Sequence, residues 1–318
     1  MKNIIQKTLS LLLCGAILLS LAACGSNSGL HEEESEIKIV CTIFPQYDFL
    51  RNIIGSDDGL ILLAKSGEDM HSYQPTAKDI VEISKADLFV TVGGGSDNWV
   101  EAALESSGNE NLVVFEMMSV IETLYAPLEE HEHDHEHDHG EECEADEHIW
   151  LSLKNAAVIT QKLCDILCEA DPVNAEKYAA NTASYIAKLN ELDGAFSKAV
   201  ETAERKTVLF ADRFPFIYLM KDYGIEYHAA FSGCSSETEA SFETISTLTK
   251  TVEELSLPCV FIIDGSDGAL AQTVTRTNGA KILTLDSCQS VSLREAEDGV
   301  NYIEIMAQNL TLLQEALS

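Results

Sequence analysis

The chain has 318 residues, 46% of them hydrophobic, with 53 acidic residues against 20 basic and a formal charge of −33 at pH 7. That length can hold two domains with cores of their own, and so acidic a surface repels nucleic acid and anionic lipid while concentrating cations. The nine cysteines form no CxxC knuckle.

Lys2 and Lys7 precede an apolar run over 9–23 that is too short and too poorly flanked for a stable membrane span. It ends in Leu21-Ala22-Ala23-Cys24-Gly25, which reads as a lipobox. On this reading 1–23 are a signal peptide and Cys24 becomes the lipid-bearing first residue. The polar stretch 24–36 is then a tether, and the protein sits outside the cytoplasm on the membrane surface. The plain alternative is ordinary signal cleavage beside an incidental cysteine. Removing 1–23 leaves 18 basic residues against 53 acidic, a charge of −35.

Apolar spacing predicts strands over 37–43, 60–63, 88–92 and 112–115, alternating with helices over 49–54, 76–86 and 99–104. A helix follows over 155–169. Asp171-Pro172 then reads as an N-cap with proline at the first helical position. From 173 to 205 apolar residues recur at three and four, a helix of about 45 Å at 1.5 Å per residue. A second series predicts strands over 207–210, 225–231, 259–263 and 281–285, with helices over 216–222, 242–255, 269–277 and 300–317. Alternating strands and helices imply an α/β fold. The expectation is two α/β lobes with parallel sheets, over 37–170 and 206–318, joined by one long helix over 171–205, with the site in the cleft between lobes. Cys164 and Cys168, one helical turn apart, read as small apolar residues. A disulfide between Cys259 and Cys288 stays open.

Six of the nine histidines fall between Leu128 and Trp150. His131, His133, His135, His137 and His139 alternate with acids in a run that no core could bury, and eleven of the 53 acids lie between Glu129 and Glu147. Such a run offers many weak, exchangeable metal donors; its bland reading is a solvated linker. His148 sits where the sequence turns apolar again. His71 follows the second strand, where a loop histidine making one hydrogen bond is the commoner outcome.

Taken in order, Thr42-Ile43-Phe44-Pro45, Gly67 with His71-Ser72-Tyr73-Gln74-Pro75-Thr76, Lys85-Ala86-Asp87-Leu88, Val92-Gly93-Gly94-Gly95 with Trp99, Glu147-His148-Ile149-Trp150-Leu151, Asp171-Pro172, Asp286-Ser287 and Gly299-Val300-Asn301-Tyr302 resemble the zinc and manganese ABC-transporter solute-binding lipoproteins. The resemblance runs from about residue 37 to the C-terminus. It implies two α/β lobes bridged by a long helix with one metal buried between them. It carries the first two ligands onto His71 and His148 and makes the five alternating histidines an auxiliary collector. The family's third ligand, usually histidine, falls on Ala211, which cannot coordinate. Asp212 is the nearest donor, with His228, Cys234 and Glu239 as substitutes. An acid after the strand 259–263 falls on Asp264, with Asp267 as runner-up. The expected set is therefore His71, His148, Asp264 and Asp212.

Two neutral imidazoles with one or two carboxylates favour Zn²⁺, with Mn²⁺ the alternative as carboxylates are added. The resemblance implies a receptor that delivers the ion to an ABC permease and its ATPase, without catalysis and as a monomer. The competing readings are a secreted zinc hydrolase, against which the chain has no HExxH motif and no nucleophile elbow, and a surface metal-buffering protein or adhesin.

Overall fold

The computed structural model describes residues 37–63, 70–124, 145–232 and 240–318. The first sheet contains β1 (Ile39–Cys41), β2 (Leu60–Leu62), β3 (Leu88–Thr91) and β4 (Val113–Glu116), all parallel, in the order β2-β1-β3-β4. The second contains β5 (Thr207–Phe214), β6 (Glu226–Ser232), β7 (Cys259–Ile263) and β8 (Lys281–Leu285), again parallel, in the order β6-β5-β7-β8. Both sheets thus reverse direction beside their first strand. In parallel α/β sheets such a reversal opens a crevice at the carboxyl ends of the strands. The loops carrying His71, Asp264 and Asp286 begin at such ends, and Asp212 lies near the same end within β5.

Two α/β lobes with parallel sheets were expected, and this is the fold. Ten α-helices are described: α1 (Phe44–Ile54), α2 (Ala77–Ile83), α3 (Val100–Ser107), α4 (Leu153–Ala170), α5 (Ala175–Thr202), α6 (Ile217–Tyr223), α7 (Phe242–Glu254), α8 (Ala269–Thr275), α9 (Leu293–Glu297) and α10 (Tyr302–Leu317). None of the described helices is long and apolar enough to cross a membrane. The 28-residue α5 buries Tyr178, Thr182, Tyr185, Leu189, Leu192, Phe196 and Val200 along one stripe. This stripe belongs to a continuous apolar core that includes Phe49 and Phe89 of the first lobe and Phe210 and Phe261 of the second.

Several starts differ from expectation. Helix α1 begins five residues early. No Ser, Thr, Asp or Asn stands at its N-cap; instead the Gln46 carboxamide oxygen accepts from the backbone N–H groups of Thr42 and Ile43 and from the Thr42 hydroxyl. Pro45 fits this first turn, where its missing N–H is no loss. Asp171 does not cap α5. Its N–H bonds back to Leu167, ending α4, and its carboxylate accepts from Tyr178 Oη and Asn174 Nδ2, both at 2.7 Å. The long helix accordingly starts after Asn174. Helix α9, which apolar spacing does not reveal, rests on a capping box between Ser292 and Glu295.

Cys259 and Cys288 are free and buried. Cys259 starts β7, paired with Lys281, while Cys288 lies beyond the far end of β8. Five residues of strand, at about 3.3 Å each, separate their levels in the sheet, well past the Cα separation of about 7 Å that a disulfide tolerates.

Hydrogen bonds fix the lobes to each other. Arg51 of α1 donates to the carbonyls of Ala296 (2.8 Å) and Val300 (2.5 Å). Tyr302 donates to the Trp150 carbonyl at 2.5 Å, and Trp150 Nε1 to the Ser287 carbonyl at 2.9 Å. Behind Arg51 the buried Asp48 accepts from Tyr185 of α5 at 2.9 Å. Leu189, fully buried at the middle of the α5 stripe, serves as a gauge of this shared core. Leu189→Ala is expected to lower the unfolding free energy by about 2–5 kcal/mol, read as a fall in the urea midpoint with the slope unchanged.

Candidate metal centre

His71 lies in the single 3₁₀ turn Met70–Ser72. The residues after it hold that turn. Tyr73 is buried edge-on against Trp99, with ring centroids 5.1 Å apart, and donates its hydroxyl to Asp79 at 3.0 Å. Asp79 Oδ2 also accepts from the Thr76 N–H and hydroxyl as α2 begins. His148 caps a second 3₁₀ turn, Ile149–Leu151, which leads into α4. The same turn carries Trp150, whose indole reaches Ser287 of the second lobe.

The two imidazole rings are 5.7 Å apart between centroids, inclined at 57°. Rings sharing one zinc ion at about 2.0–2.1 Å per nitrogen fall in roughly this range. Each ring is held at Nδ1 by a neighbouring carboxylate. His71 Nδ1 is 3.0 Å from Glu147 Oε1, and His148 Nδ1 is 3.0 Å from Asp146 Oδ1, which also accepts the His148 backbone N–H at 2.9 Å. A carboxylate at Nδ1 places the proton there and leaves the lone pair on Nε2, the arrangement that orients histidine toward a metal.

Glu147 is buried, and the structure compensates it fully. Its Oε2 accepts from the Ser96 N–H at 3.0 Å and the Ser96 hydroxyl at 2.8 Å. Burial pushes its pKa up, but the His71 hydrogen bond and the charges of His148 and His71 outweigh that and hold it below the ordinary glutamate value. Ser96 is presented by the Gly93–Gly95 turn. Asp97 pins this turn by accepting from the Val92 and Gly93 N–H groups at 2.6 and 2.8 Å. A Cβ on Gly94 would lie 2.2 Å from Glu147 Oε2 and 2.6 Å from its Cβ, so the backbone there must be bare for the carboxylate to approach.

On the second lobe, Asp264 follows β7. Its Oδ1 accepts the Ser287 N–H at 2.6 Å, while its Oδ2 is buried without a hydrogen-bond partner among the described residues. Asp286 stands beside it. Burial first, then the Asp264 charge, push the Asp286 carboxyl up to about 6. Two crowded carboxylates with an unsatisfied buried oxygen form a locus that a cation would relieve. Asp212 sits at an irregularity of β5 and is engaged with backbone, accepting from Arg213 N–H at 2.8 Å and Ile263 N–H at 3.4 Å.

The structure therefore brings His71 and His148 together, and sets Asp264 and Asp212 at neighbouring strand ends of the other lobe. Among the described residues no three His, Cys, Asp or Glu side chains close around one point. Ala211 is buried in β5 and offers no donor. His228 is exposed on β6, and Asp267 is exposed and accepts the Ala269 N–H at the start of α8. Cys24, His131, His133, His135, His137, His139, Cys234 and Glu239 lie outside the described residues. Residue spacing alone does not expose Asp146, Glu147, Ser96, Gly94 or Asp286 as parts of the site. Asp146 and Glu147 look like the tail of the acidic run, and only their position beside the apolar Ile149-Trp150 marks them as buried.

Fold and site together define an α/β metal-binding protein with two lobes. The family described as zinc-uptake complex component A, periplasmic, matches residues 39–316, and the chain belongs to it. It is 32% identical over 315 residues to the high-affinity zinc uptake system protein ZnuA of Bacillus subtilis, covering 98% of both chains. It is 30% identical over 310 residues to the zinc-binding lipoprotein AdcA of Streptococcus pneumoniae, covering 98% of this chain but 61% of that longer protein. The crystal structure of the Zn(II)-bound ZnuA-like domain of Streptococcus pneumoniae AdcA matches with a TM-score of 0.72 and 28% identity, over 89% of this chain and 99% of that one. The metal-dependent lipoprotein YcdH of Bacillus subtilis matches with a TM-score of 0.74 and 28% identity, over 89% and 100%.

Gly94→Ala is expected to displace Glu147 and release the His71 ring. Zinc affinity should fall by roughly 10–100-fold, the usual cost of losing an orienting partner, with far-UV circular dichroism unchanged. Unaltered affinity in a competitive zinc titration would show that Glu147 does not position His71.

Proposed function

We propose that this chain captures Zn²⁺ outside the cytoplasm, between its two lobes, and delivers it to the permease and ATPase of an ABC importer. The observation that carries this reading is the pair of adjacent imidazoles, His148 buried and His71 partly exposed, each oriented through Nδ1 by one of two consecutive carboxylates. His71 and His148 supply two nitrogens through Nε2. Asp264, through its unsatisfied Oδ2, supplies oxygen from the other lobe, with Asp286 beside it. Asp212 joins the β5 and β7 ends and stands second in line as a donor. Two imidazoles with carboxylate oxygen suit zinc over manganese, and the negative charge of the carboxylates offsets that of the ion, lowering the cost of burying it.

Zinc is cargo here, so it must also leave. Arg51, Trp150 and Tyr302 tie the lobes at fixed points, which favours small displacements of the site loops over a wide hinge. The histidine-rich run re-enters the fold through Asp146, whose N–H bonds to the Leu124 carbonyl at 2.7 Å. It thereby delivers directly into Asp146-Glu147-His148, as an auxiliary collector of ions would. Cys24 carries the lipid, and the protein acts as a monomer.

In a competitive titration of the mature chain, one tight zinc equivalent should survive deletion of 129–143 and be lost in His71→Ala and in His148→Ala. Tight binding that disappears with the deletion yet persists in His71→Ala would transfer the function to the histidine-rich run. Affinity should fall as the medium is acidified, because imidazole must shed its proton to bind; a flat profile from pH 5 to 8 contradicts imidazole ligation. In cells, Cys24→Ala should abolish labelling by radioactive palmitate and release the protein into the medium, whereas retained labelling would remove the anchor from Cys24.

A further inference from the structure

The last two turns of α4 carry a pair of thiols that the imidazole site does not use. Cys164 and Cys168 are free thiols, one helical turn apart, with Sγ atoms 3.8 Å from each other. Cys164 is buried and Cys168 half-buried. Cys168 Sγ also donates to the Ala175 carbonyl at 3.6 Å. The pair thus lies under the turn from α4 to α5, open on the Cys168 side. We infer that Cys164 and Cys168 form a two-thiolate site for a soft d¹⁰ cation, monovalent copper being the ion that fits it best.

Helix geometry supports chelation over a disulfide. Residues four apart on a helix hold their Cβ atoms about 5–6 Å from each other, whereas a disulfide needs about 3.5–4.5 Å. A regular helix therefore keeps the two sulfurs adjacent but too widely based to bond, and an ion seated between them needs no unwinding. The donor count selects the ion. No third His, Cys, Asp or Glu among the described residues closes on the pair. Zinc takes four ligands, while Cu⁺ is a soft ion satisfied by two thiolates.

The surroundings favour a cation as well. Asp165 and Asp171 place negative charge close to the pair. Burial, then the Cys164 contact and the charges of Asp165 and Asp171, hold the Cys168 thiol above its usual range. Bare thiolates are scarce there and oxidation by exchange is correspondingly slow. In the proposed step Cu⁺ forms two Cu–S bonds, both S–H bonds break, and two protons pass to solvent. No electron is transferred.

The test uses the mature chain, with Cys24 bearing its lipid and with Cys143→Ser and Cys234→Ser, so that no free thiol remains outside the described residues. Anaerobic titration with Cu⁺ against a chromophoric chelator should show one tight equivalent, lost in Cys164→Ser and in Cys168→Ser while melting temperature and zinc binding are retained. X-ray absorption of the copper form should show two sulfur neighbours. Uptake unchanged by either cysteine substitution overturns the proposal. So does uptake lost in His71→Ala but kept in the cysteine variants, or a chain lighter by two hydrogens, which would mean a disulfide has formed instead.

Discussion

Two consecutive carboxylates, Asp146 and Glu147, each hold one imidazole by its Nδ1, and the rest of the site depends on this double contact. Successive residues of an extended chain point opposite ways, so one acid turns to the His148 beside it and the next reaches His71 on another loop. The arrangement fixes both tautomers at once. It also explains why the Gly93–Gly95 turn must be bare: Glu147 fits there only because Gly94 has no side chain, and Ser96 then satisfies the oxygen that His71 does not use.

The scaffold makes this contact possible by repetition. Both sheets wind in the same order and both present their loops at the carboxyl ends of parallel strands. The first lobe carries His71 and His148, and the second carries Asp264 and Asp286 at the carboxyl ends of its strands. Trp150 joins the halves, since its turn begins at His148 while its indole bonds to the residue between Asp286 and Cys288. With Arg51 bonded to two carbonyls of the other lobe and Tyr302 bonded to Trp150, the donors approach one another from a braced frame. A site of this kind can be closed by the ion itself, whose charge offsets the strain between Asp264 and Asp286.

Much of the fold was legible because its strands are short apolar runs and its helices keep one stripe, as in α5 and α10. What spacing could not show were features set by single side chains acting at a distance. Gln46 starts α1 by reaching back to Thr42, and Tyr178 draws Asp171 out of the capping role that Asp-Pro suggests. The pairing considered for Cys259 and Cys288 failed because β7 and β8 run parallel, which sets the residue that opens one strand and the residue that follows the other at opposite ends of the sheet. The motif pointed to His71 and His148, whose rings the structure brings together, whereas the carboxylates beside them were hidden in an acidic run where every neighbour looks solvated. Ala211 removes the donor that the family pattern supplies, and only the three-dimensional structure shows Asp264 and Asp286 crowded together with a buried Asp264 oxygen left unsatisfied among the described residues.

Anomalous diffraction at the zinc edge from crystals of the zinc-loaded chain tests the central claim most directly. The account predicts a single ion about 2.0–2.2 Å from Nε2 of His71 and Nε2 of His148, with Glu147 and Asp146 still hydrogen-bonded to Nδ1 and a carboxylate of the second lobe completing the shell. An ion bound away from the two imidazoles, or one that takes Glu147 and Asp146 as direct ligands in place of those rings, would contradict it.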